Sequence, residues 1–472
     1  MRCADYSVEI TVQREERKVE TAGIFDVREY GAKGDGSTKD TAAIQGAIDA
    51  CHLAGGGTVL LSGGIFVSGG LYLKSKVILE VAVSAVLRAS GDIADYEEDT
   101  HHNRYRNEEA LDRCFLYAQD ASDIGITGRG LIDGNSEAFP NEGSIYRPML
   151  LRFLRCSRIR IDRVRLHNAA AWTTAFLDSS DIWITDVDIR NEHRYNGDGL
   201  DFDGCSHVFV SGCRILGTDD NLCLQSSKAE YPVEDIHITN CEFTSLCAAI
   251  RIGLKSVGSI SGVVISNCTM HNVWREGIKI ECTEGGSISD IVARGIVMEN
   301  VSRPVWILLN NRYEPEDYGS SKEISKMPPI GAMKNILLSD MVITDGQEMQ
   351  NTHYRFGNDV MGSPRFCGMR IDAEKAHPIE NVVLENIIYT AVGGVKKEEI
   401  PEEYPKVLDR LLYPDGVSSA NYYPDWSRAV FLDCRNVKKL LLKDLILHKS
   451  RPDEREGVVI ENCSVIKREI YE

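Results

Sequence analysis

Acidic and basic side chains recur at intervals of about one repeat in the middle of the chain. Asp198 comes first, the adjacent pair Asp219–Asp220 follows, and Arg251 and Lys279 come next. If these segments are successive coils of a solenoid, their side chains stack into one acidic patch with basic neighbours. Hydrolysis of a glycosidic bond needs a protonated carboxyl for the leaving oxygen and, with inversion, a carboxylate that activates water. The pattern therefore indicates a place where a sugar chain can be cut.

Crowding supports this interpretation of the three acids. Like charges on adjacent coils raise at least one pKa, so that an Asp can stay protonated near neutral pH. The alternative is that Asp residues only form turns between strands, which suits Asp133 and Asp181. For Asp219–Asp220, with Asp198 one repeat earlier, the chemical interpretation is the stronger one.

Strand alternation predicts which side chains face outward around the acids. Leu200 and Phe202 face the core, so Asp201 and Asp203 face outward. Strict alternation would also turn Asp198 inward, so the site requires the turn around it to break the alternation.

The same alternation turns Arg251 and Lys279 outward on the next two coils, where they flank the acids. Glu281 also faces outward, on the coil of Lys279. We expect Arg251 to hold a carboxylate or hydroxyl of a substrate. The alternative is an ion pair of Arg251 or Lys279 with Glu281.

Short apolar runs, each introduced by a polar or small residue, repeat along the chain at a step of about 23–28 residues through the middle. This step suits one coil of three short strands and predicts an all-β fold, a right-handed parallel β-helix. The missing LxxLxL pattern disfavours leucine-rich repeats. Ahead of the repeats, Asp40 as N-cap and apolar residues at helical spacing predict a short helix that caps the first coil. The runs begin at Arg158, Asp181, His207, Asp235, Gly262, Asn335, Asn381 and Asn436.

The domain organisation that follows is simple. Residues 1–22 are a charged tail or edge strand, and residues 23–472 form a single β-helix domain, with no linker rich in Pro or Ser. Loop insertions near 101–114 and 395–426 interrupt the rhythm. Because loops on solenoids commonly shape the binding face, we expect both to border the site.

Charge and composition restrict the partners. The net charge of −18 argues against nucleic acid and anionic membranes, and requires local Arg and Lys if the substrate is a polyanion. The chain has no apolar run of about 18 residues, and its start lacks the apolar centre of a signal peptide. The fourteen Cys are not in CxxC pairs and fit small buried hydrophobes, so neither a zinc site nor disulfides are indicated. We expect a cytoplasmic protein.

Several motifs in order resemble the polygalacturonases, family 28 of the glycoside hydrolases. The resemblance covers most of residues 23–450 and implies the β-helix fold, an inverting mechanism and a pectin-type substrate, an oligosaccharide or polysaccharide that contains uronic acid. It implies no metal and no cofactor. The segments that carry it are Phe25–Gly36, Asp40-Thr41, Gly128–Gly134, Arg147-Pro148, Asn196-Gly197-Asp198-Gly199 and Gly217-Thr218-Asp219-Asp220.

The resemblance also implies roles. Asp219 corresponds to the general acid, and Asp198 and Asp220 to the carboxylates that position the water. Lys279, Asn196 and Tyr313 correspond to residues that bind the sugar, Tyr313 by stacking; Arg251 joins them from the alternation argument.

The chain departs from the family pattern at three places. Gly197 stands in the middle of the Asn-Thr-Asp motif, and the Gly-His-Gly motif falls on Cys247-Ala248-Ala249, so that its His is absent. Glu281 reverses the charge of a Lys. His193, His271 and His353 are candidates to replace the missing His, and each also fits an ordinary surface position.

Two other function classes remain open from the sequence. A uronide lyase on the same solenoid would use Ca²⁺ and an Arg or Lys base, for which Arg251 or Lys279 is available. A carbohydrate-binding solenoid without catalysis would fit the missing His.

Overall fold

The computed structural model describes residues 23–97, 113–140, 146–311, 328–346, 354–356, 359–361, 368–399 and 427–471. The predicted tail 1–22, most of both predicted insertions, His353 and Tyr313 lie outside these ranges. Within them the chain forms one α-helix, α1 (Thr41–Leu53), and short 3-10 helices at Val27–Tyr30, Ile93–Asp95, Ser136–Ala138 and Lys397–Glu399.

Strands make up most of the rest. The first sixteen are β1 (Gly23–Asp26), β2 (Asp35–Lys39), β3 (Gly57–Leu61), β4 (Gly64–Ser68), β5 (Leu71–Tyr72), β6 (Val77–Val81), β7 (Ala85–Ala89), β8 (Cys114–Gln119), β9 (Ser122–Gly128), β10 (Leu131–Asp133), β11 (Met149–Leu154), β12 (Ser157–Asp162), β13 (Arg165–His167), β14 (Thr174–Leu177), β15 (Ser180–Thr185) and β16 (Asp188–Arg190). Those that follow are β17 (Leu200–Asp203), β18 (Ser206–Ser211), β19 (Arg214–Gly217), β20 (Leu222–Ser226), β21 (Val233–Thr239), β22 (Glu242–Ser245), β23 (Ile250–Ser256), β24 (Ser259–Ser266), β25 (Thr269–Cys282) and β26 (Ser287–Leu309). The last are β27 (Ala332–Thr344), β28 (Tyr354–Phe356), β29 (Asp359–Met361), β30 (Met369–Ala373), β31 (Ile379–Ala391), β32 (Ala429–Arg435), β33 (Val437–Lys449), β34 (Glu456–Glu461) and β35 (Ser464–Tyr471).

The strands of the main sheet pair in parallel with those one coil away, on both sides except at the two ends of the solenoid, which confirms the predicted parallel β-helix. The coils have three faces; the long strand β25 runs around one corner between faces, and β26 runs around two. The face that matters below is called the site sheet. Its order is β5, β8, β11, β14, β17, β20, β23, β25, β26, β30, β32 and β34.

The residue that introduces each apolar run has a structural reason to be polar or small. Asp181, His207 and Asp235 all have φ between 53° and 57°, as do Asn335 and Asn436, and Gly262 has φ 66°. Left-handed backbone is tolerated best by Gly, Asn and Asp, and it bends the chain at the start of each strand. The polar or small residue that recurs in the sequence therefore marks a bend in each coil.

Identical inward positions stack from coil to coil to form the core. Leu200, Leu222, Ile250 and Ile278 occupy one such column, at the roughly 4.8 Å spacing of paired strands. Phe153, Phe176 and Phe202 form a second column, and neighbouring rings stack with centroids 5.1 and 5.0 Å apart. Because Phe176 is fully buried between two rings, Phe176→Ala should cost about 3–5 kcal/mol.

Helix α1 covers the open end of the first coil, as predicted, through Ile44, Ala47, Ile48 and Cys51, which are fully buried. Asp40 lies at the N-cap position, but its carboxylate does not cap the helix. It accepts hydrogen bonds from the backbone N–H groups of Lys33 (2.7 Å) and Gly34 (2.9 Å) instead. The predicted N-cap position is therefore confirmed, but the side-chain cap is not formed, because backbone donors of the preceding loop bind both carboxylate oxygens. No helix in the described part of the chain is both long enough and apolar enough to span a membrane.

Candidate active site

An outward-facing row of the site sheet brings the predicted polar residues together. Strand register places Asp201 beside Cys223, Cys223 beside Arg251, Arg251 beside Lys279 and Lys279 beside Trp306. Arg251 and Lys279 are thus one coil apart on one face, where alternation places them.

The acids sit just before the strands of this sheet, and a tight turn positions Asp198. Gly197 N–H donates to Thr218 Oγ1 at 3.0 Å, and a Cβ on Gly197 would lie only 2.4 Å from that oxygen. A Cβ on Gly199 would lie 2.3 Å from the Asn221 carbonyl oxygen. Only glycine permits such close approach. Thr218 on the next coil therefore leaves no room for a side chain at position 197, which explains why Gly197 stands in the middle of the motif.

The three predicted acids converge. Nearest carboxylate oxygens of Asp198 and Asp220 lie within 4.8 Å of each other, and so do those of Asp219 and Asp220. Asp219 Oδ1 accepts the backbone N–H of Asp220 at 2.9 Å. The carboxylate of Asp198 also lies within 4.8 Å of the outward-facing Cys223 Sγ, so the turn does break the alternation. Asp198 and Asp220 are buried, and Asp219 is half-buried.

Burial and mutual repulsion raise the pKa values of these acids. Burial, and next Asp220, raise the pKa of Asp219 to about 6, although Arg251 opposes the shift. Burial and the charges of Asp219, Asp201 and Asp220 raise the pKa of Asp198 well above its ordinary value. The cluster therefore retains protons at a pH where an isolated Asp is ionised.

Arg251 supplies positive charge directly to the acids. Its Nη1 lies 2.5 Å from Asp220 Oδ2, and its side chain is 14% exposed. The partner that the structure gives Arg251 is thus Asp220, and strand register places Gly253, not Arg251, beside Glu281. The alternative ion pair with Glu281 does form for Lys279, whose Nζ lies 3.4 Å from Glu281 Oε2.

A second charged cluster, which the sequence interpretation missed, centres on Glu276. Arg303 Nη1 lies 2.9 Å from Glu276 Oε1, and Lys279 Nζ lies 3.9 Å from Glu276 Oε2. Although burial alone would raise it, the pKa of Glu276 falls to about 2 because Lys279, Arg275 and Arg303 surround the carboxylate. No local motif marks this cluster, since Arg303 comes from the next coil.

Asp201 and two thiols were also missed as site residues. Burial raises the pKa of Asp201 well above its ordinary value, and its side chain contacts Cys223. Cys247 lies beside Asp219 and Asp220. Strand alternation did place the Asp201 side chain outward. Its register with Cys223 and Arg251 on the next coils is the signal that could have added Asp201 to the predicted site.

The remaining predicted residues have mixed positions. Asn196 lies at the start of the Asp198 turn, and its Oδ1 accepts from Arg147 Nη2 at 2.9 Å. His271 lies 3.3 Å from Glu299, and His193 is exposed; neither has a described contact with the acids. In the turn Cys247-Ala248-Ala249, Ala248 stands where the family has its His. The backbone N–H of Ala248 donates to Asp220 Oδ1 at 2.9 Å.

Two overlapping groups of side chains have the donor types of a metal site. They are Asp198, Asp220 and Cys223, and Asp219, Asp220 and Cys247, with all donor atoms of a group within 4.8 Å of one another. Arg251 already places a positive charge against the shared Asp220. The donor shared by both groups is therefore already paired with an organic cation.

Comparison with known families agrees with this geometry. The family described as "Glycosyl hydrolases family 28" matches residues 74–352, more than half of the chain. The chain belongs to family 28 of the glycosyl hydrolases. A second family, "Rhamnogalacturonase A/epimerase, pectate lyase-like", matches residues 24–86, at the start of the same β-helix. The resemblance inferred from the motifs is confirmed.

Two curated relatives of this family 28 chain are similar over part of their length. The "Probable polygalacturonase" of Vitis vinifera is 26% identical over 326 residues, which are 61% of this chain and 65% of the relative. The "Exo-poly-alpha-D-galacturonosidase" of Dickeya chrysanthemi is 24% identical over 345 residues, 60% of this chain and 56% of the relative. The chain therefore spans less than two thirds of either relative.

A solved structure shares the fold. The family 28 exopolygalacturonase of Yersinia enterocolitica superposes with a TM-score of 0.67 at 16% identity, over 95% of this chain and 78% of that one. At this identity the likeness establishes the β-helix architecture of the family 28 chain and no more.

Proposed function

We propose that this protein is an inverting glycoside hydrolase of pectic galacturonans or the oligosaccharides derived from them. The observation that carries the proposal is the convergence of Asp198, Asp219 and Asp220, with the pKa of the half-buried Asp219 raised to about 6. Membership of family 28 and the names of the curated relatives support the substrate class.

Each acid has a part in the proposed reaction. Asp219, which retains a proton and is the most exposed of the three, donates it to the glycosidic oxygen as the bond from that oxygen to the anomeric carbon breaks. A water attacks the same carbon from the opposite face. Asp220, with Arg251 as its counter-ion, accepts the proton of the water. Asp198 Oδ1 is buried without a described hydrogen-bond partner and accepts a hydrogen bond from the other O–H of the water, which stays with the product.

Cations near the acids are suited to a uronate substrate. Arg251 is partly exposed beside Asp220, and Lys279 follows on the next coil. Local positive charge of this kind offsets the net charge of −18, which would repel a polyanion at long range. Arg251 and Lys279 are the proposed ligands of substrate carboxylates or hydroxyls, with Asn196 and Tyr313 as further sugar contacts.

Burial along the outward row favours action at a chain end. On one side of the acids Arg152 is buried, and on the other side Lys279, Trp306 and Arg370 are 3–4% exposed although they point away from the core. In the described part of the site sheet, access is thus concentrated at Asp219 and Arg251. A site enclosed on both sides takes a chain terminus more readily than the middle of a polymer. The name of the Dickeya chrysanthemi relative agrees with exo action.

The test is incubation with oligogalacturonates and rhamnogalacturonan oligosaccharides, followed by reducing-end assay, product sizing and NMR of the new anomeric centre. Release of single terminal sugars with inverted configuration is expected. A ladder of intermediate sizes would contradict exo action. The nearest oxygens of Asp219 and Asp220 are closer to each other than the roughly 6.5–9.5 Å typical of the two carboxyl groups of inverting enzymes. The configuration of the new anomeric centre therefore decides whether the reaction proceeds with inversion. No hydrolysis by folded protein, or an unsaturated ultraviolet-absorbing product, would contradict the hydrolase.

A further inference from the structure

The turn that replaces the Gly-His-Gly motif is bonded to both adjacent acids. Ser245 Oγ donates to the Asp219 carbonyl oxygen at 2.7 Å, and the Cys247 backbone N–H donates to Ser245 Oγ at 2.8 Å. The Ala248 backbone N–H donates to Asp220 Oδ1 at 2.9 Å. This turn therefore fixes the backbone and one carboxylate of the acid pair without any imidazole.

One side chain of the turn reaches the remaining carboxyl. Cys247 Sγ lies within 4.8 Å of carboxylate oxygens of both Asp219 and Asp220, which brings its thiol close to the Asp219 carboxyl. Cys247 is buried. The neighbouring Ala248 is also buried, but its methyl group has no proton to donate.

We propose that Cys247 is a positioning residue of the reaction proposed above: its thiol donates a hydrogen bond to Asp219 and orients this carboxyl toward the leaving oxygen. The inference rests on the proposed function. Asp219 becomes an anion as it gives up its proton, and the S–H group stabilises that anion in place.

The thiol stays protonated and so remains a donor. Burial and the charges of Asp220 and Asp219 raise the pKa of Cys247 well above its ordinary value. The hydrogen bond in turn lowers the pKa of Asp219 against the effect of burial. Cys156, by contrast, is a buried thiol that donates to the Leu154 carbonyl oxygen at 3.4 Å, the position of an ordinary core cysteine.

Three variants separate positioning from packing: Cys247→Ala removes the donor, Cys247→Ser restores one, and Cys156→Ala is the matched packing control. On an oligogalacturonate, Cys247→Ala should lower kcat about tenfold, the effect of one hydrogen bond to a developing charge, with little change in KM. Its decline of kcat at high pH should also move to higher pH. Cys247→Ser and Cys156→Ala should keep the wild-type pH profile. A wild-type kcat and profile for Cys247→Ala would overturn the proposal.

A second measurement needs no substrate. In a double-mutant cycle on the unfolding free energy at neutral pH, Cys247→Ala and Asp219→Asn should be non-additive, whereas Cys156→Ala and Asp219→Asn should add. Additivity in the first cycle would overturn the contact. Coupling in a protein that hydrolyses no pectic oligosaccharide would contradict the proposed function alone.

Discussion

Two buried charged clusters lie two coils apart on one sheet and have opposite electrostatics. The acid cluster of Asp198, Asp219 and Asp220 is paired with Arg251, and the pKa of Asp219 rises to about 6. The Glu276 cluster has Arg275, Lys279 and Arg303 around the Glu276 carboxylate, with Glu281 also paired to Lys279, and the pKa of Glu276 falls to about 2. Both are buried. The number of neighbouring cations, not burial, decides the direction.

The opposite pKa shifts indicate different roles: the acid cluster is suited to catalysis, and the Glu276 cluster to holding the structure. A carboxyl with a raised pKa can carry a proton to a leaving group near neutral pH, whereas one with a pKa of about 2 cannot. Glu276 instead fixes Lys279 at 3.9 Å and, through it, one end of the cationic side of the site. We therefore expect substitutions in the acid cluster to affect turnover and substitutions at Glu276 to affect folding.

The largest effect is expected in the acid cluster. Asp219→Asn removes the proposed proton donor and should lower kcat about a thousandfold, within the range for lost general acid catalysis. The assay is release of reducing ends from oligogalacturonates. Asp188→Asn, which weakens the pairs with His167 and Arg190 on another face of the coil, is the control and should retain activity. A loss of less than tenfold for Asp219→Asn would assign the acid elsewhere.

The opposite outcome is expected at Glu276. Glu276→Gln leaves three buried cations with one carboxylate fewer and should lower the free energy of unfolding by about 3–5 kcal/mol. Denaturant titration at neutral pH measures this. Glu242→Gln breaks the exposed pair with Arg214 and should cost less than about 1 kcal/mol. Equal losses for the two variants would remove the distinction between the clusters.

Arg251 is both the counter-ion of Asp220 and a proposed substrate ligand. Arg251→Ala should lower kcat/KM about a hundredfold, because Asp220 loses its counter-ion and the substrate loses a cation. Since Arg251 lowers the pKa of Asp219, its removal should also move the high-pH decline of kcat upward. Arg251→Lys retains the charge and should lie between wild type and Arg251→Ala. Unchanged steady-state kinetics for Arg251→Ala would discard this assignment.

The smallest effect is a gain of stability. The folded-state pKa of Asp219 is about 6 against an ordinary 3.8, so its ionisation opposes folding fully above about pH 6 and not at all below 3.8. Asp219→Asn should therefore raise the free energy of unfolding at pH 7 by up to about 3 kcal/mol, with no gain near pH 3. Denaturant titrations at both pH values measure this. A gain of equal size at both would point to packing instead.

Local rules predicted the fold and most of the site. The apolar runs and their polar first residues, such as Asp181 and Asp235, fix strands and bends within one coil. Arg251 and Lys279 follow from alternation because they lie in the middle of regular strands. Asp198 needed the turn at Gly197, whose geometry depends on Thr218 of the next coil.

What could not be predicted depends on contacts between coils. Arg303 pairs with Glu276 across 27 residues, and Cys247 reaches Asp219 from a different coil. Neither partner has a local signature. The assignments to Tyr313, to the two insertions and to the cytoplasm stay predictions.

The pH dependence of kcat for the wild-type enzyme on an oligogalacturonate tests the central claim most directly. Because Asp219 must be protonated and its pKa is raised to about 6, kcat should fall about tenfold per pH unit above that value. A constant kcat from about pH 6 to about pH 8 would contradict a proton donor built from crowded carboxyls.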